Sequence, residues 1–515
     1  ARSQVFGGSP DAYKHSLNRM AAATTADLQA AGKRWLSDGV YALEIVPYPS
    51  YQASATAVDR SQMPKPGEGP EPKFPVTQRA KLANGMEVIV AERHSVPVVN
   101  MNLLIDAGFA ADQFALPGTA ALAMNMLDEG TKTKNSIEIS KELASLGATI
   151  GAGSNLDTSI VSLSTLKSTL DRALNLYSDV ILNPAFPLAD FERLQKIQLA
   201  TIQREKSQPV TMGLRVFPKL LYGPGHAYGN PYTGSGTEES VAKLKREDLM
   251  KFHGTWFKPN NATLVVVGDT TLSEIQPKLE ALFSGWKTGR APAKNVATTA
   301  LPPKQVVYLV DKPGAIQSVI LSGVLAPPKA NPDEISIESM NTVLGGAFIS
   351  RLNMNLRENK HWSYGAGTFI PPARGQRIFL AYAPVQTDKT KESVVEITNE
   401  LRGILKDRLV TADELAMAKS NLTQALPGLW ETNAAVGQAI NEIVEFKLSP
   451  DYYSTYAGKV KALTITNLNE AATKVVRPDN LVWVIVGDRE KIEKGIRELN
   501  IGEVRVIDAD GNPVK

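Results

Sequence analysis

Apolar residues recur along this chain with two periods, and each period predicts its own kind of element. Period-two alternation on either side of Asn84-Gly85 predicts a β-hairpin, and a second strand is predicted from Val96 to Ile105. Helical spacing predicts helices at about 117–129 and 392–406. Because strands and helices follow one another in this way, the pattern is typical of an α+β protein.

A helix, a turn and a strand recur at three places in the chain, namely 25–46, 246–269 and 466–488. Their matching leucines, Leu28, Leu249 and Leu468, lie 221 and 219 residues apart, so the period has the size of a whole domain. In the two complete units this helix and strand come near the end. Residues 1–46 are therefore expected to be the tail of a preceding unit whose body lies outside this sequence.

Two proline-containing stretches predict linkers between these units. Prolines and glycines crowd residues 64–75, where neither helix nor sheet can be sustained. Each complete unit is predicted to hold an antiparallel-rich sheet with helices on one face. The predicted order is a tail of a preceding domain, a linker, a first complete domain, a second linker and a second complete domain, at residues 1–46, 47–78, 79–290, 291–303 and 304–515.

Composition narrows the class of protein. A length of 515 residues leaves room for two to four domains, and 43% apolar residues can fill their cores. The net charge of +3 comes from 56 basic and 53 acidic side chains, which indicates no nucleic-acid partner. The absence of cysteine excludes disulfides, thiolate zinc sites and cysteine nucleophiles. No apolar run approaches eighteen residues, so we expect no membrane span.

One stretch, GGAFISRLNMNLRENKHWSYGAG at 345–367, holds the strongest candidate chemistry. A buried helix is predicted up to Gly345-Gly346, and a second helix leads to Arg357, seven positions before Tyr364. A guanidinium and a nearby phenol can hold a peptide carbonyl or a developing oxyanion. The alternative is an arginine neutralised by Glu358 beside a tyrosine that is buried as packing.

The run GGAFISRL, followed by LRE and SYG, resembles the second-domain signature of the insulinase/pitrilysin-type zinc peptidases. This inverzincin group includes the mitochondrial processing peptidase, and the resemblance covers nearly all of residues 79–490. It implies two homologous insulinase-like α+β domains. It also implies that Arg357 and Tyr364 bind peptide and stabilise the oxyanion at a zinc site on another domain, with Gly345 and Gly346 also expected at the substrate.

The resemblance places the family's inverted zinc motif, H-x-x-E-H, on the helix predicted at 117–129. Ala121, Met124 and Asn125 stand at its three positions, and Thr201 stands at that of the third ligand, a glutamate. A methyl group, a thioether, a lone amide oxygen and a hydroxyl do not make a catalytic zinc site. We therefore expect no metal in this chain, and zinc in a partner.

Two other polar residues, Glu205 and His226, are candidate site residues. Glu205, one helical turn beyond Thr201, is interpreted as a solvated face residue rather than a replacement ligand. His226 lies in a loop rich in turn-forming residues, where it either contacts substrate or has a local partner. No two histidines occur at ligand spacing.

The resemblance implies the non-zinc half of a two-part zinc metalloendopeptidase, a heterodimer that closes a chamber around a peptide. The zinc-bearing partner would be a homologous subunit or the missing N-terminal half of the same polypeptide. A periplasmic location is expected from the family's long secreted members. The alternative is an inactive scaffold subunit like the core proteins of respiratory complexes. A self-sufficient metallopeptidase with an unconventional site is disfavoured by the missing ligands.

Overall fold

The computed structural model describes residues 2–37, 39, 42–44 and 73–514. The chain forms two compact units, 1–67 and 68–515. Within the first unit, none of the helical side chains is buried. The described part of this unit contains three helices, α1 (Arg2–Gly7), α2 (Ala12–Ala22) and α3 (Thr25–Leu36).

Helix α3 confirms the helix predicted in the first copy of the repeat. Thr24 begins it with a capping box, in which its hydroxyl accepts a hydrogen bond from the backbone N–H of Asp27. Residues 42–44 are neither helix nor strand, and the rest of the predicted strand lies outside the described residues. So does most of the first predicted linker, since only residues 73–77 of it are described before the first strand.

The first lobe of the second unit, residues 78–283, holds a six-stranded sheet with the order β1-β2-β6-β3-β5-β4. Its strands are β1 (Gln78–Lys81), β2 (Glu87–Glu92), β3 (Val98–Ile105), β4 (Thr149–Ser154), β5 (Ser159–Leu166) and β6 (Ala262–Gly268). Its helices are α4 (Thr119–Asn125), α5 (Ser136–Leu146), α6 (Leu170–Leu182), α7 (Leu188–Ser207), α8 (Pro209–Tyr222), α9 (Glu238–Lys243), α10 (Arg246–Trp256) and α11 (Leu272–Phe283).

The second lobe, residues 306–507, repeats this arrangement with the order β12-β7-β11-β8-β10-β9. Its strands are β7 (Val306–Asp311), β8 (Gln317–Ala326), β9 (Gly367–Phe369), β10 (Arg377–Gln386), β11 (Val482–Gly487) and β12 (Glu503–Ile507). Its helices are α12 (Glu334–Asn341), α13 (Arg351–Asn353), α14 (Thr390–Gly403), α15 (Ala412–Gln424), α16 (Leu426–Leu429), α17 (Asn433–Glu445), α18 (Tyr452–Ala462), α19 (Ile465–Val475) and α20 (Arg489–Glu498).

The two sheets share the order and direction of five of their six strands, and differ in the edge strands β1 and β12. In both sheets the strand that ends the helix–turn–strand repeat lies between two earlier strands. In the first lobe β6 runs parallel to β2 and antiparallel to β3, and in the second lobe β11 has the same relation to β7 and β8. All other pairs are antiparallel except β12 with β7. The hairpin predicted at Asn84-Gly85 is present as β1 and β2, with Gly85 at a φ of 89°.

Each sheet is covered on one face by helices of its own lobe, as predicted, and on the other face by helices of the other lobe. Val436, Ile440 and Ile443 on α17 pack against the first sheet. Val216 and Phe217 on α8 pack against the second sheet. The exchange joins the two lobes through continuous apolar contacts, and such contacts are the main stabilising term of a folded domain.

The segment between the lobes contains neither helix nor strand from 287 to 302. It is nevertheless held in place, because Lys294 is ion-paired with Asp106 and the backbone N–H of Asn295 donates to Gln113 Oε1 at 2.7 Å. Among the described residues, no helix is both long enough and apolar enough to cross a bilayer.

Candidate functional site

Arg357 lies on a turn of π-helix, Met354–Asn359, that continues α13. Leu352 and Leu356 are buried on one side, so Arg357 points to the other. Its side chain is 38% exposed, its guanidinium lies 4.5 Å from the ring centroid of Phe348, and its Nε lies 3.3 Å from a carboxylate oxygen of Glu358. Single π-turns are rare and occur frequently at functional sites.

Tyr364 lies on a short loop that is anchored on both sides. The hydroxyl of the buried Ser363 donates to the carbonyl of Pro384 on β10 at 2.7 Å. The backbone N–H of Ala366 donates to Asn353 Oδ1 at 3.0 Å. Between these anchors Tyr364 is 88% exposed, so the alternative of a tyrosine buried as packing is wrong.

The two residues share one pocket of about 290 Å³ at the surface of the second lobe. The pocket is lined by Gln317, Arg357, Glu358, His361, Trp362, Ser363, Tyr364 and Gln386. A guanidinium, a phenol and amide groups therefore surround one volume, all of them hydrogen-bond donors that suit a peptide carbonyl or an oxyanion.

The two glycines expected at the substrate do not line this pocket. Gly345 is buried, and a Cβ atom there would lie 2.3 Å from the backbone nitrogen of Thr368 on β9. Gly346 is exposed, and a Cβ there would lie 2.9 Å from Asn341 Nδ2. Gly345 therefore allows the π-turn Thr342–Gly346 to press against an edge strand.

The positions of the zinc motif lie on α4 and α7 as the resemblance implies, but their side chains do not suit zinc. Ala121 and Thr201 are half-buried, Met124 is fully buried, and Asn125 is exposed. Within the described residues, no group of three or more histidine, cysteine, aspartate and glutamate side chains could hold a metal ion. The residues present do not fit the family's zinc.

The interpretation of Glu205 as a solvated residue is wrong. Its side chain is 12% exposed, and its Oε2 lies 2.6 Å from Nη1 of the buried Arg215 and accepts a hydrogen bond from Ser235 Oγ at 2.7 Å. The loop that carries Ser235 folds over α7 and covers this carboxylate. Helical periodicity could not reveal it, because the covering residue lies 30 positions away.

His226 has local partners, which confirms the second of its two interpretations. Its Nδ1 accepts from the backbone N–H of Tyr228 at 3.0 Å, and its Nε2 lies 3.1 Å from the carbonyl of Ala297. This pattern assigns the proton to Nε2. The ring stacks on Tyr222 at 4.7 Å, and burial lowers the pKa of the imidazole.

Sequence reasoning missed the residues that support the pocket. These are Phe348, which lies under Arg357, and Asn353 and Ser363, which anchor the loop of Tyr364. None of them belongs to a recognisable motif, because each contributes only through where the fold places it. The only local signal was an aromatic residue placed after Gly345-Gly346, in the middle of GGAFISRL.

Two protein-family models and several known proteins are similar to this chain. A family model described as insulinase (peptidase family M16) matches residues 87–220, and one described as the peptidase M16 inactive domain matches residues 243–422. An uncharacterized zinc protease of Rickettsia bellii is 22% identical over 416 residues, which are 78% of this chain and 98% of that protein.

Two solved structures share the fold. The peptidase M16 inactive domain from Pseudomonas fluorescens superposes with a TM-score of 0.75 at 24% identity, covering 80% of this chain and 98% of that one. A chain of complex III2 from Candida albicans does so with a TM-score of 0.68 at 16% identity, covering 82% and 99%. The two family matches together span more than half of the chain, and they show that it belongs to the insulinase (M16) peptidase family.

Proposed function

We propose that this chain is the non-zinc half of a two-part zinc metalloendopeptidase. The observation that carries the proposal is a contrast within one molecule. Arg357 and the exposed Tyr364 share a pocket, whereas the positions of the zinc motif hold an alanine, a buried methionine, an asparagine and a threonine. Zinc and the general base are the partner's contribution.

The two pocket residues would act on the peptide backbone. Arg357 presents a planar group with five N–H donors, of which Glu358 engages one side, and it would hold a substrate carbonyl. Tyr364 would donate its phenolic proton in a hydrogen bond to the oxyanion. A donor of this kind typically contributes a factor of about 10² to 10³ in turnover.

An edge strand offers a place for the rest of the peptide. Strand β4 is the terminal strand of the first sheet, and its residues alternate between exposed and half-buried. It lies next to α4, where Ser154 Oγ is 3.5 Å from the carbonyl of Ala120. A peptide would add to β4 as a further strand, with main-chain hydrogen bonds as the source of affinity.

The N-terminal helices would belong to a preceding domain of the same kind, as the repeat predicts. Leu28 of α3 is 67% exposed, whereas its counterparts Leu249 and Leu468 are completely buried. The same contrast holds for Trp35 and its counterparts Trp256 and Val475. The apolar face of α3 thus corresponds to the faces of α10 and α19 that are buried in the cores of the two lobes. A zinc-bearing half whose sheet has an uncovered face would bury this face of α3.

A substitution on α3 tests whether this helix packs against a zinc-bearing half, and it leaves the two lobes unchanged. Leu28→Asp should leave the thermal unfolding of this chain unchanged and weaken its association with a zinc-bearing half in sedimentation experiments. Equal association of wild type and Leu28→Asp would contradict the assignment.

A proteolytically inactive scaffold subunit is the second candidate function. It is favoured by one observation, the likeness to a chain of complex III2. It differs from the first candidate in giving no role to the exposed Tyr364.

Peptide cleavage and bound zinc, measured for this chain alone and after mixing with a zinc-bearing half of the same family, separate the two candidates. The proposal expects no cleavage and no stoichiometric zinc for this chain alone, and cleavage in the mixture well above that of the zinc-bearing half by itself. Assembly without any gain in cleavage would favour the scaffold.

A further inference from the structure

Two loops at the pocket of Arg357 and Tyr364 carry large apolar side chains that are exposed. Phe348 and Ile349, on the loop between the π-turn Thr342–Gly346 and α13, are 61% and 58% exposed. Tyr364 is almost fully exposed on the loop that leads to β9. Burial of apolar surface therefore does not hold these three side chains in place. The positions of both loops depend instead on polar contacts.

One buried amide makes such contacts with both loops. Asn353 is 4% exposed and ends α13, four residues before Arg357. Its Nδ2 donates a hydrogen bond to the carbonyl of Phe348 at 2.6 Å, and its Oδ1 accepts one from the backbone N–H of Ala366 at 3.0 Å. In the part of the chain that the structure describes, no other side chain forms hydrogen bonds with both loops.

The two contacts require the chemistry of an amide. A carbonyl needs a donor and an N–H needs an acceptor, and the side chain of asparagine offers one of each, so the contacts also fix its orientation. Aspartate at this position would have no N–H for the carbonyl of Phe348. Alanine would serve neither contact.

Asn353 thereby links the support of Arg357 to the loop of Tyr364. The ring of Phe348 lies under the guanidinium of Arg357, and Asn353 holds the backbone of that phenylalanine. The other anchor of the Tyr364 loop is Ser363, whose hydroxyl donates to a carbonyl on β10 and not to the segment of Arg357. Ser363 thus places the loop relative to the sheet, whereas Asn353 places it relative to Arg357.

We propose that Asn353 is a positioning residue that sets the guanidinium of Arg357 and the phenol of Tyr364 at the spacing needed to bind one peptide group. The inference rests on the proposed function, in which these two side chains act on the substrate. Asn353 is buried and acts through them without touching the peptide. Donors that stabilise a transition state must be placed closely, and a displacement of about 1 Å can cost about 10²-fold in rate.

Asn353→Ala, measured in the assembled two-part enzyme, tests this role by kinetics. We expect kcat to fall by roughly ten- to a hundredfold while KM stays within about twofold, because the contacts that are lost matter most in the transition state. Asn433→Ala is the matched control. Asn433 is also buried and donates to a backbone carbonyl, that of Val98 at 3.2 Å, but it does not line the pocket. Its variant should keep the kcat of wild type.

A second background separates positioning from a general loss of structure. Asn353→Ala introduced into Tyr364→Phe should lower kcat by a factor at least three times smaller than in wild type, because the phenol that Asn353 positions is already gone. A merely structural role predicts the same factor in both backgrounds.

Hydrogen exchange of this chain alone tests the contact without any partner. The amide of Ala366 donates to Asn353, so a peptide that covers residues 364–367 should exchange at least tenfold faster in Asn353→Ala than in wild type. Asn433→Ala should exchange like wild type in this peptide. Asn353→Ser, a smaller polar replacement, takes the same measurements if Asn353→Ala does not fold.

The positioning role is overturned by wild-type kcat in Asn353→Ala, by equal factors in the two backgrounds, or by unchanged exchange at residues 364–367. Failure of the proposed function looks different. In that case Tyr364→Phe itself keeps the kcat of wild type, and the role of Asn353 falls with it. A loss of kcat in Tyr364→Phe without any loss in Asn353→Ala overturns the positioning role alone.

Discussion

The guanidinium of Arg357 lies over the ring of Phe348, 4.5 Å from its centroid, and Phe348 is itself 61% exposed. An exposed aromatic ring beneath a cation restricts the cation without satisfying its N–H donors, since the ring attracts charge through its face. Among the residues that the structure describes, Glu358 alone competes for those donors, at 3.3 Å. The guanidinium is thus held in place with donors to spare, as the proposed binding of a substrate carbonyl requires.

Arg357→Lys should lower kcat/KM for peptide cleavage in the two-part enzyme by roughly tenfold or more, because lysine lacks the planar fork that stacks on Phe348 and reaches a carbonyl. Steady-state kinetics with one fluorogenic peptide measures the effect. Arg402→Lys is the matched control, since Arg402 is half-exposed and ion-paired with the exposed Asp479 on the surface. Equal kinetics for Arg357→Lys and Arg402→Lys would remove Arg357 from the site.

Gly345→Ala should destabilise the protein by about 1–3 kcal/mol, the usual cost of overpacking. Its new methyl group would lie 2.3 Å from the backbone nitrogen of Thr368, which cannot move without shifting β9. Urea unfolding measures the change. Gly458→Ala in α18 has open space around it and should be neutral or slightly stabilising, so two variants of equal stability would show that the close contact is absent.

Arg215→Met should cost about 3–5 kcal/mol, because it leaves the carboxylate of Glu205 in a nearly buried position without its cation. The double variant Glu205→Met with Arg215→Met should recover part of that loss, since the remaining side chains are both apolar. Chemical unfolding of Arg215→Met, Glu205→Met and the double variant gives the coupling energy. A mild effect of Arg215→Met, below about 1 kcal/mol, would place the pair in the class of surface ion pairs.

The stability of the protein should fall as the pH rises through 7. Burial raises the pKa of the Glu445 carboxyl from 4.5 to about 7, so the folded state binds a proton that the unfolded state has lost. The stabilisation is complete below pH 4.5 and is lost as the pH passes 7, with at most about 3 kcal/mol at stake.

Glu445→Gln should remove the part of this dependence that Glu445 contributes, because an amide does not titrate in this range. The part due to Asp112 remains, since burial also raises the pKa of that carboxyl to about 7. Urea unfolding at pH 5, 6, 7 and 8 measures the slope for wild type, for Glu445→Gln and for the control Glu470→Gln, which changes an exposed residue on α19. Parallel slopes for wild type and Glu445→Gln would mean that Glu445 is ionised in the folded protein at pH 5.

Local chemistry predicted the parts of the fold that depend on neighbouring residues. Asn84-Gly85 predicts the hairpin of β1 and β2. Leu249 and Leu468, both completely buried, predict the helices α10 and α19. A positive φ at Gly85 and an apolar helix face are properties that a short window contains.

Contacts between distant parts of the chain could not be predicted in this way. Nothing near α8 or α17 indicates that each covers the sheet of the other lobe, because an apolar stripe does not identify its partner. For the same reason the burial of Glu205 was missed. The pocket was found only in part, since Arg357 and Tyr364 were identified by resemblance while the supporting Phe348 and Ser363 were not.

The role of Tyr364 in catalysis is tested by Tyr364→Phe, measured in the assembled two-part enzyme. Tyr364 is almost fully exposed, so the loss of its hydroxyl should leave the melting temperature and the assembly unchanged. We expect kcat to fall by a factor of about 10² to 10³, the usual value of one oxyanion donor. Turnover equal to that of wild type in an intact assembly would contradict the claim that this chain contributes to catalysis.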